Sequence, residues 1–276
     1  TLSASGGSVT GAANVTAGSL NATAQNEINL NTDIDSLQAN SSAGNISILE
    51  IDALTVNGTG VSAAGNVDLD TGGNLTLTAG VSASGSSDVI IDVSNAGSAL
   101  ITSAGANITS GNGDITITAD VLAIAGNIRS NGALLLQPLT ATSTIGLGGG
   151  AGTFELGDTE LALLDNGFTA ITIGRNDSSG TMNVDSSAFA DPVILRTPNG
   201  TLDVTGTLSA TDGASVNLDA NTTINLSADI TTEGDTITFN DNVVIDEAVG
   251  LNTTLNGNAG GAAVAFLGTL EATADT

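Results

Sequence analysis

The chain contains no cysteine, histidine, lysine, tryptophan or tyrosine. Without Cys or His there is no disulfide framework, no thiol nucleophile and no thiolate or imidazole metal site. Without His or Lys the usual general bases and the Schiff-base amine are missing as well. A phosphate-binding loop closed by Lys-Ser or Lys-Thr is excluded for the same reason. Only three residues are basic, Arg129, Arg175 and Arg196, against 29 Asp plus Glu, for a formal charge of −26. Three scattered arginines make no basic patch, so no nucleic-acid partner is expected. The longest apolar run, Ala262-Ala263-Val264-Ala265-Phe266-Leu267, is strand-sized. It falls far short of the ~18 residues of a membrane span, so no transmembrane segment is expected. The chain starts at Thr1 without a basic-then-apolar leader and is read as a mature chain or part of a longer one.

What remains is aliphatic, small and polar. Apolar residues make up 40% and charged ones 12% of 276 residues. The acids are interleaved with regular apolar positions, which argues for a fold rather than disorder. Glycine occurs 36 times without a three-residue period, so collagen is excluded. The recurring unit is a short alternating strand followed by a Gly, Asn or Asp turn. Asn45-Ile46-Ser47-Ile48-Leu49, Asn66-Val67-Asp68-Leu69-Asp70, Asn74-Leu75-Thr76-Leu77-Thr78 and Asp114-Ile115-Thr116-Ile117-Thr118 are examples. Ser215-Val216-Asn217-Leu218-Asp219, Thr223-Ile224-Asn225-Leu226 and Thr236-Ile237-Thr238-Phe239 continue it. Each sets two apolar side chains on one face and Thr, Ser, Asn or Asp on the other.

Four features favour a parallel β-helix over a sandwich. The strands are shorter than the ~5–6 residues typical of sheets. The turns are many and small. The inward residues are Val, Ile, Leu and Ala, and the only aromatics are five Phe. Near-copies of one unit recur along the chain. A coil of about 20 residues advancing about 4.8 Å would give roughly 12–14 coils and a rod about 60 Å long. Residues 1–276 are expected to form one continuous solenoid, with an irregular loop and short-helix insertion around 138–168.

Within that insertion 146–152 is glycine-dense, Thr153-Phe154-Glu155-Leu156 reads as a strand, and 158–165 reads as a helical turn. Asp158 or Thr159 would cap the turn, Asn166-Gly167 would end it, and Leu161 and Leu164 would point to one side. Asn45, Asn66, Asn74, Asn107 and Asn127 stand at strand starts, where stacked coils would align them into ladders. Asn tolerates left-handed angles and can hydrogen-bond its own turn. Asn-X-Ser/Thr triplets, as at Asn14, Asn74 and Asn221, are frequent enough to follow from composition. Pro192 and Pro198 bracket a strand, Val193-Ile194-Leu195. Phe154, Phe168, Phe189, Phe239 and Phe266 read as core filler or coil-edge stacks.

The segments Gly65–Gly80 and Gly111–Gly126 resemble the repeats of filamentous-haemagglutinin-like proteins. The stretch from Glu160-Leu161 through Ile171-Thr172-Ile173-Gly174 to Met182-Asn183-Val184 resembles a module of giant bacterial repeat adhesins. Thr236-Ile237-Thr238-Phe239-Asn240 and Val264–Leu270 resemble units of the same proteins. This resemblance covers most of residues 40–276. It implies a right-handed parallel β-helix on the bacterial cell surface, acting as an adhesin, matrix component or stalk. Partners would be other surface or matrix components and glycans, with end-to-end or lateral self-association. The near-absence of basic residues argues against sulfated glycans as ligands.

Carboxylates offer the only candidate sites. Asp33 and Asp35 lie two apart, as do Asp68 and Asp70, while Asp241, Asp246 and Glu247 form a looser group. Asp68 and Asp70 share a strand face about 6–7 Å apart. Such hard oxygen donors suit Ca²⁺, the one cofactor considered, and the competing reading is a solvated acidic face. The Gly-Gly-X-Gly-X-Asp calcium repeat is absent. Paired Asp residues also serve glycoside hydrolysis. This chain lacks the aromatic platforms and basic groups such sites add, so no catalysis is expected. Thr76-Leu77-Thr78 and Thr116-Ile117-Thr118 match an ice-binding ladder locally, but Asp interrupts it elsewhere. A self-assembling filament or sheath subunit is the remaining alternative, because uncapped coil ends expose strand edges.

Overall fold

The computed structural model describes residues 1–246, 248–252 and 262–272. The fold is all-β, with parallel sheets stacked as a solenoid of about twelve turns and almost no helix. Chain contacts divide it into two units, 1–135 with 163–167, and 136–162 with 168–276.

Each unit is built on three parallel ladders. In the first unit one ladder climbs Val9, Ile28, Ile46, Val67, Val89 and Ile115. A second passes through Leu54, Leu75, Leu100 and Leu122. The third runs Ala22, Ala39, Val61, Val81, Ile108, Ile128 and Leu164. In the second unit the ladders run Ile171–Val193–Val216–Ile237–Val264, Ile145–Met182–Leu202–Ile224–Val243–Leu270 and Ser187–Leu208–Ile230–Leu251. The alternation seen in sequence therefore has one physical cause. Every second side chain meets its counterparts one coil above and below, and the residue between faces solvent.

Between Ile28 and Ile237 the aliphatic rungs, Leu164 apart, are almost wholly buried. Burying one such side chain stabilises by roughly 1.5–3 kcal/mol, set against the entropy of ordering the chain. Phe154, Phe168, Phe189 and Phe239 are buried as core filler, and Phe266 stacks on Phe239 with ring centroids 4.8 Å apart.

Two expectations need correction. Strands of three to five residues are common, but Val9–Ala24 and Ile28–Ser41 run for 16 and 14 residues. These coils turn their corners without losing their neighbours, so two ladders share one strand. The short helix is Asp158–Leu161, and its cap is Gly157 rather than Asp158 or Thr159. The Gly157 N–H donates to Glu160 Oε2 at 3.0 Å, so the third helical residue satisfies the backbone donor of the cap residue itself, while glycine has no side chain to meet the N–H groups of the first turn. Leu161 is buried, whereas Leu164 is half-exposed and bridges Ile128.

The asparagines do form ladders, by a different mechanism from turn conformation. Among the described residues only Asp212 has a positive φ outside glycine. Instead each side chain reaches one coil on. Asn45 Oδ1 accepts from the Asn66 N–H at 2.9 Å, Asn66 Oδ1 from Asp88 at 3.0 Å, Asp88 Oδ1 from Asp114 at 2.8 Å, and Asp114 Oδ1 from Ala133 at 2.7 Å. Asn74 and Asn107 do the same for Ala99 and Asn127. These bonds satisfy backbone donors at corners, where the ladder itself cannot.

The glycine-dense loop has a specific use. Ile145–Leu147 pairs in parallel with Phe154–Leu156, only nine residues later. So tight a return brings Gly146 against Gly150, where an added Cβ would stand 2.0 Å from a carbonyl oxygen. Gly148 and Gly149 take φ of 63° and 103°, which other residues rarely adopt.

Candidate functional site

Carboxylates converge at the corner that follows the first ladder of the first unit. Glu50 falls at an inward position, level with Thr32 below and Thr71 above. It is 1% exposed, while its neighbours Leu49 and Ile51 are 47% and 53% exposed. Backbone donors make this inversion tolerable. Glu50 Oε2 accepts from the Ile34 N–H at 3.1 Å, and Oε1 accepts from Ile51 at 2.9 Å. Burial still pushes the Glu50 carboxyl above its ordinary range, against these hydrogen bonds, which pull it down. Asp33 approaches from the preceding coil, and Asp52 lies two residues past Glu50 in the same corner. One oxygen of each of Asp33, Glu50 and Asp52 lies within 4.8 Å of the others. Three hard oxygen donors at that spacing suit Ca²⁺ better than Mg²⁺, which demands stricter octahedral geometry.

The sequence-derived candidates are distributed as follows. Asp33 is in this group; Asp35 is not, and its carboxylate lies over Gly18 of the preceding coil. Asp68 and Asp70 share the outer face of Val67–Thr71. Asp70 is level with Asp92 of the next coil. Burial first, then repulsion from Asp92 and Asp70, raises the Asp68 carboxyl. Asp241 belongs to the second unit, where its Oδ2 accepts from the Ala220 N–H at 2.8 Å. Its neighbour Asp219 is raised by burial and by Asp241, and Arg196 partly offsets this. Asp246 lines a groove with Asp203, and Glu247 lies outside the described residues.

Comparison with protein-family models, curated proteins and solved structures finds no match. The parallel β-solenoid itself is as the motifs led one to expect. No described helix is long and apolar enough to cross a membrane.

Glu50 and Asp52 were not among the sequence candidates. Hydropathy along the segment favours Leu49 as the inward residue. A faint signal existed: aligning coils on Asn45 and Asn66 places Glu50 beside Thr71, at a position that ends an inward face. The arginines are structural where their contacts are seen. Arg175 pairs with Asp177 at 2.7 Å and donates from Nη1 to the Leu139 carbonyl at 2.8 Å. Arg196 donates from Nε to the Gly174 carbonyl at 3.0 Å and is level with Asp219.

Proposed function

We propose that this chain is a structural and adhesive β-solenoid segment of a large surface protein outside a bacterial cell, without catalytic activity. The carrying observation is the division of labour within the coils. Inward positions hold stacked aliphatics, and outward positions hold Ser, Thr, Asn and Asp that change from coil to coil on a constant frame. Such a frame presents a long polar surface. The acids are spread over it, and the chain offers no thiol, imidazole or lysine amine beside them. The motif resemblance supports the location, and the charge of −26 keeps such a surface hydrated and apart from its copies.

Antibodies raised against the chain should label intact cells of the source bacterium. Labelling only after lysis would defeat the reading. The purified protein should release no reducing ends from neutral or acidic polysaccharides. Cleavage that disappears in Asp68→Asn or Asp70→Asn would establish an enzyme instead.

Calcium belongs to the same proposal, since weak exposed sites operate at the millimolar Ca²⁺ found outside cells. Ca²⁺ is expected to raise Tm more than Mg²⁺ or NaCl at matched ionic strength. The double variant Asp33→Asn, Asp52→Asn should lose that difference. Equal effects of the two divalent ions would mean diffuse charge neutralisation and no site.

A further inference from the structure

The second unit carries a groove of about 430 Å³ on the outer face of its Ile145–Leu270 sheet. Two outward columns form it. Asn183, Asp203 and Asn225 are successive rungs of the first, and Val244 is the next rung. Thr205, Ser227 and Asp246 line the groove beside them. Thr205, Ser227 and Asp246 each begin a corner and hold the frame through their backbone N–H, to Val184, Val204 and Leu226. Their side chains are therefore placed by the coil spacing. The groove is tied internally where Asn225 Nδ2 donates to Asp203 Oδ1 at 2.6 Å, and Asn183 Nδ2 donates to the Ala151 carbonyl at 2.6 Å. Both bonds fix carboxamide planes and leave each Asn Oδ1 as an acceptor.

We propose that this groove binds a neutral hexose unit of a glycan. Charge decides the class first. Among the described residues the groove holds two carboxylates and no cation, on a chain of net charge −26, so anionic sugars, phosphates and sulfates are repelled. Geometry decides next. Asp203 and Asp246 stand two coils apart along the stack and two residues apart across it, roughly 12 Å in all from the strand spacing and the rise per residue. A pyranose ring with one hydrogen bond at each edge spans a similar distance. Its hydroxyls would donate to the two carboxylates, with Asn225 and Ser227 meeting the hydroxyls between them. Val244 supplies an apolar contact for the ring C–H groups. It is smaller than the aromatic platform of a tight site, so one groove binds weakly and a surface of many copies binds by avidity.

This assignment deepens the adhesive reading and rests on it. A direct titration of the full chain keeps the two separable, because it reads the groove whatever the location of the protein. The probes are glucose, galactose and mannose and their disaccharides, followed by the side-chain amide signals of Asn183 and Asn225 in nitrogen–proton spectra. At least one neutral hexose should shift both signals saturably, independently of NaCl. Asn225→Ala and Asp203→Ala should each weaken binding at least tenfold. Both residues face outward, so circular dichroism should be unchanged. Ser47→Ala, on an outward position of the other unit, should bind as the parent does. No shift with any of these sugars would overturn the proposal. So would shifts produced equally by Ca²⁺ and removed by chelator, which would make the groove a cation site, or binding unaffected by both groove variants. Surface labelling with no sugar binding would leave the adhesive reading standing and this one lost.

Discussion

Ile91→Ala is expected to destabilise the protein by about 2–5 kcal/mol, with the loss read in urea unfolding. Ile91 is fully buried and stands between Leu69 and Ile117 of the adjoining coils. Removing its outer carbons leaves a void that the neighbours cannot close. They are held at the strand spacing by backbone hydrogen bonds above and below, so collapse along the ladder would break pairing. The neighbouring residue supplies the control. Ile90 faces outward, level with Asp68 and Thr116, and is half-exposed. Ile90→Ala should cost within about 0.5 kcal/mol. The pair tests register as well as packing. A slip of one residue would exchange inner and outer faces along the whole strand, so equal costs, or the reverse order, would refute the ladder. Unfolding of a stacked array can proceed coil by coil, so the midpoint and slope should be compared together.

The same alternation explains what could be read from sequence and what could not. Val67, Leu69, Leu75 and Leu77 announce themselves, because a half-buried strand has a strict period of two and its inward residues are aliphatic. Asn45 and Asn66 announce corners for the same reason of repetition. Neighbourhood across coils is not announced. Spacing along the chain shows that Asp68 and Asp70 share a face. It does not show that Asp92 is the next rung above Asp70, because successive rungs are separated by a variable number of residues. Ile28 to Ile46 and Val89 to Ile115 are single steps of very different length. The Asp33, Glu50 and Asp52 group was hidden by a second effect. Glu50 is inward because the Ile34, Ile51 and Asp52 N–H groups point at its carboxylate, and hydropathy takes no account of such donors. The cap at Gly157 was missed likewise, since glycine carries no capping side chain and the stabilising contact comes from Glu160, which accepts from the Gly157 N–H.

Acidification from neutral pH towards the ordinary carboxyl range, about pH 4, is expected to raise Tm, opposite to the usual course of acid denaturation. Three carboxyls set the sign. Glu50, Asp68 and Asp219 are all held above their ordinary range, chiefly by burial. In the unfolded chain they return to about 4. As pH falls through the raised values, the folded protein takes up protons that the unfolded chain does not yet bind, so the folded state gains. The gain is complete below the unfolded value and is lost as pH rises through the folded one. Asp177 opposes it: Arg175 lowers its carboxyl, and that contribution disappears as pH falls through the depressed value. The pair is exposed, however, and such pairs contribute little. General repulsion acts with these three groups, because protonation reduces a charge of −26. Two controls separate these causes. Added NaCl screens the general repulsion over ~8 Å at physiological strength and should flatten only that part of the slope. Asp68→Asn should be more stable than the parent at pH 7 and less dependent on pH, because it removes one desolvated charge beside Asp92 and Asp70. A Tm that falls steadily from neutral pH towards about pH 4 in both proteins would show that well-paired carboxylates dominate, and would remove the case for Glu50, Asp68 and Asp219 as strained charges.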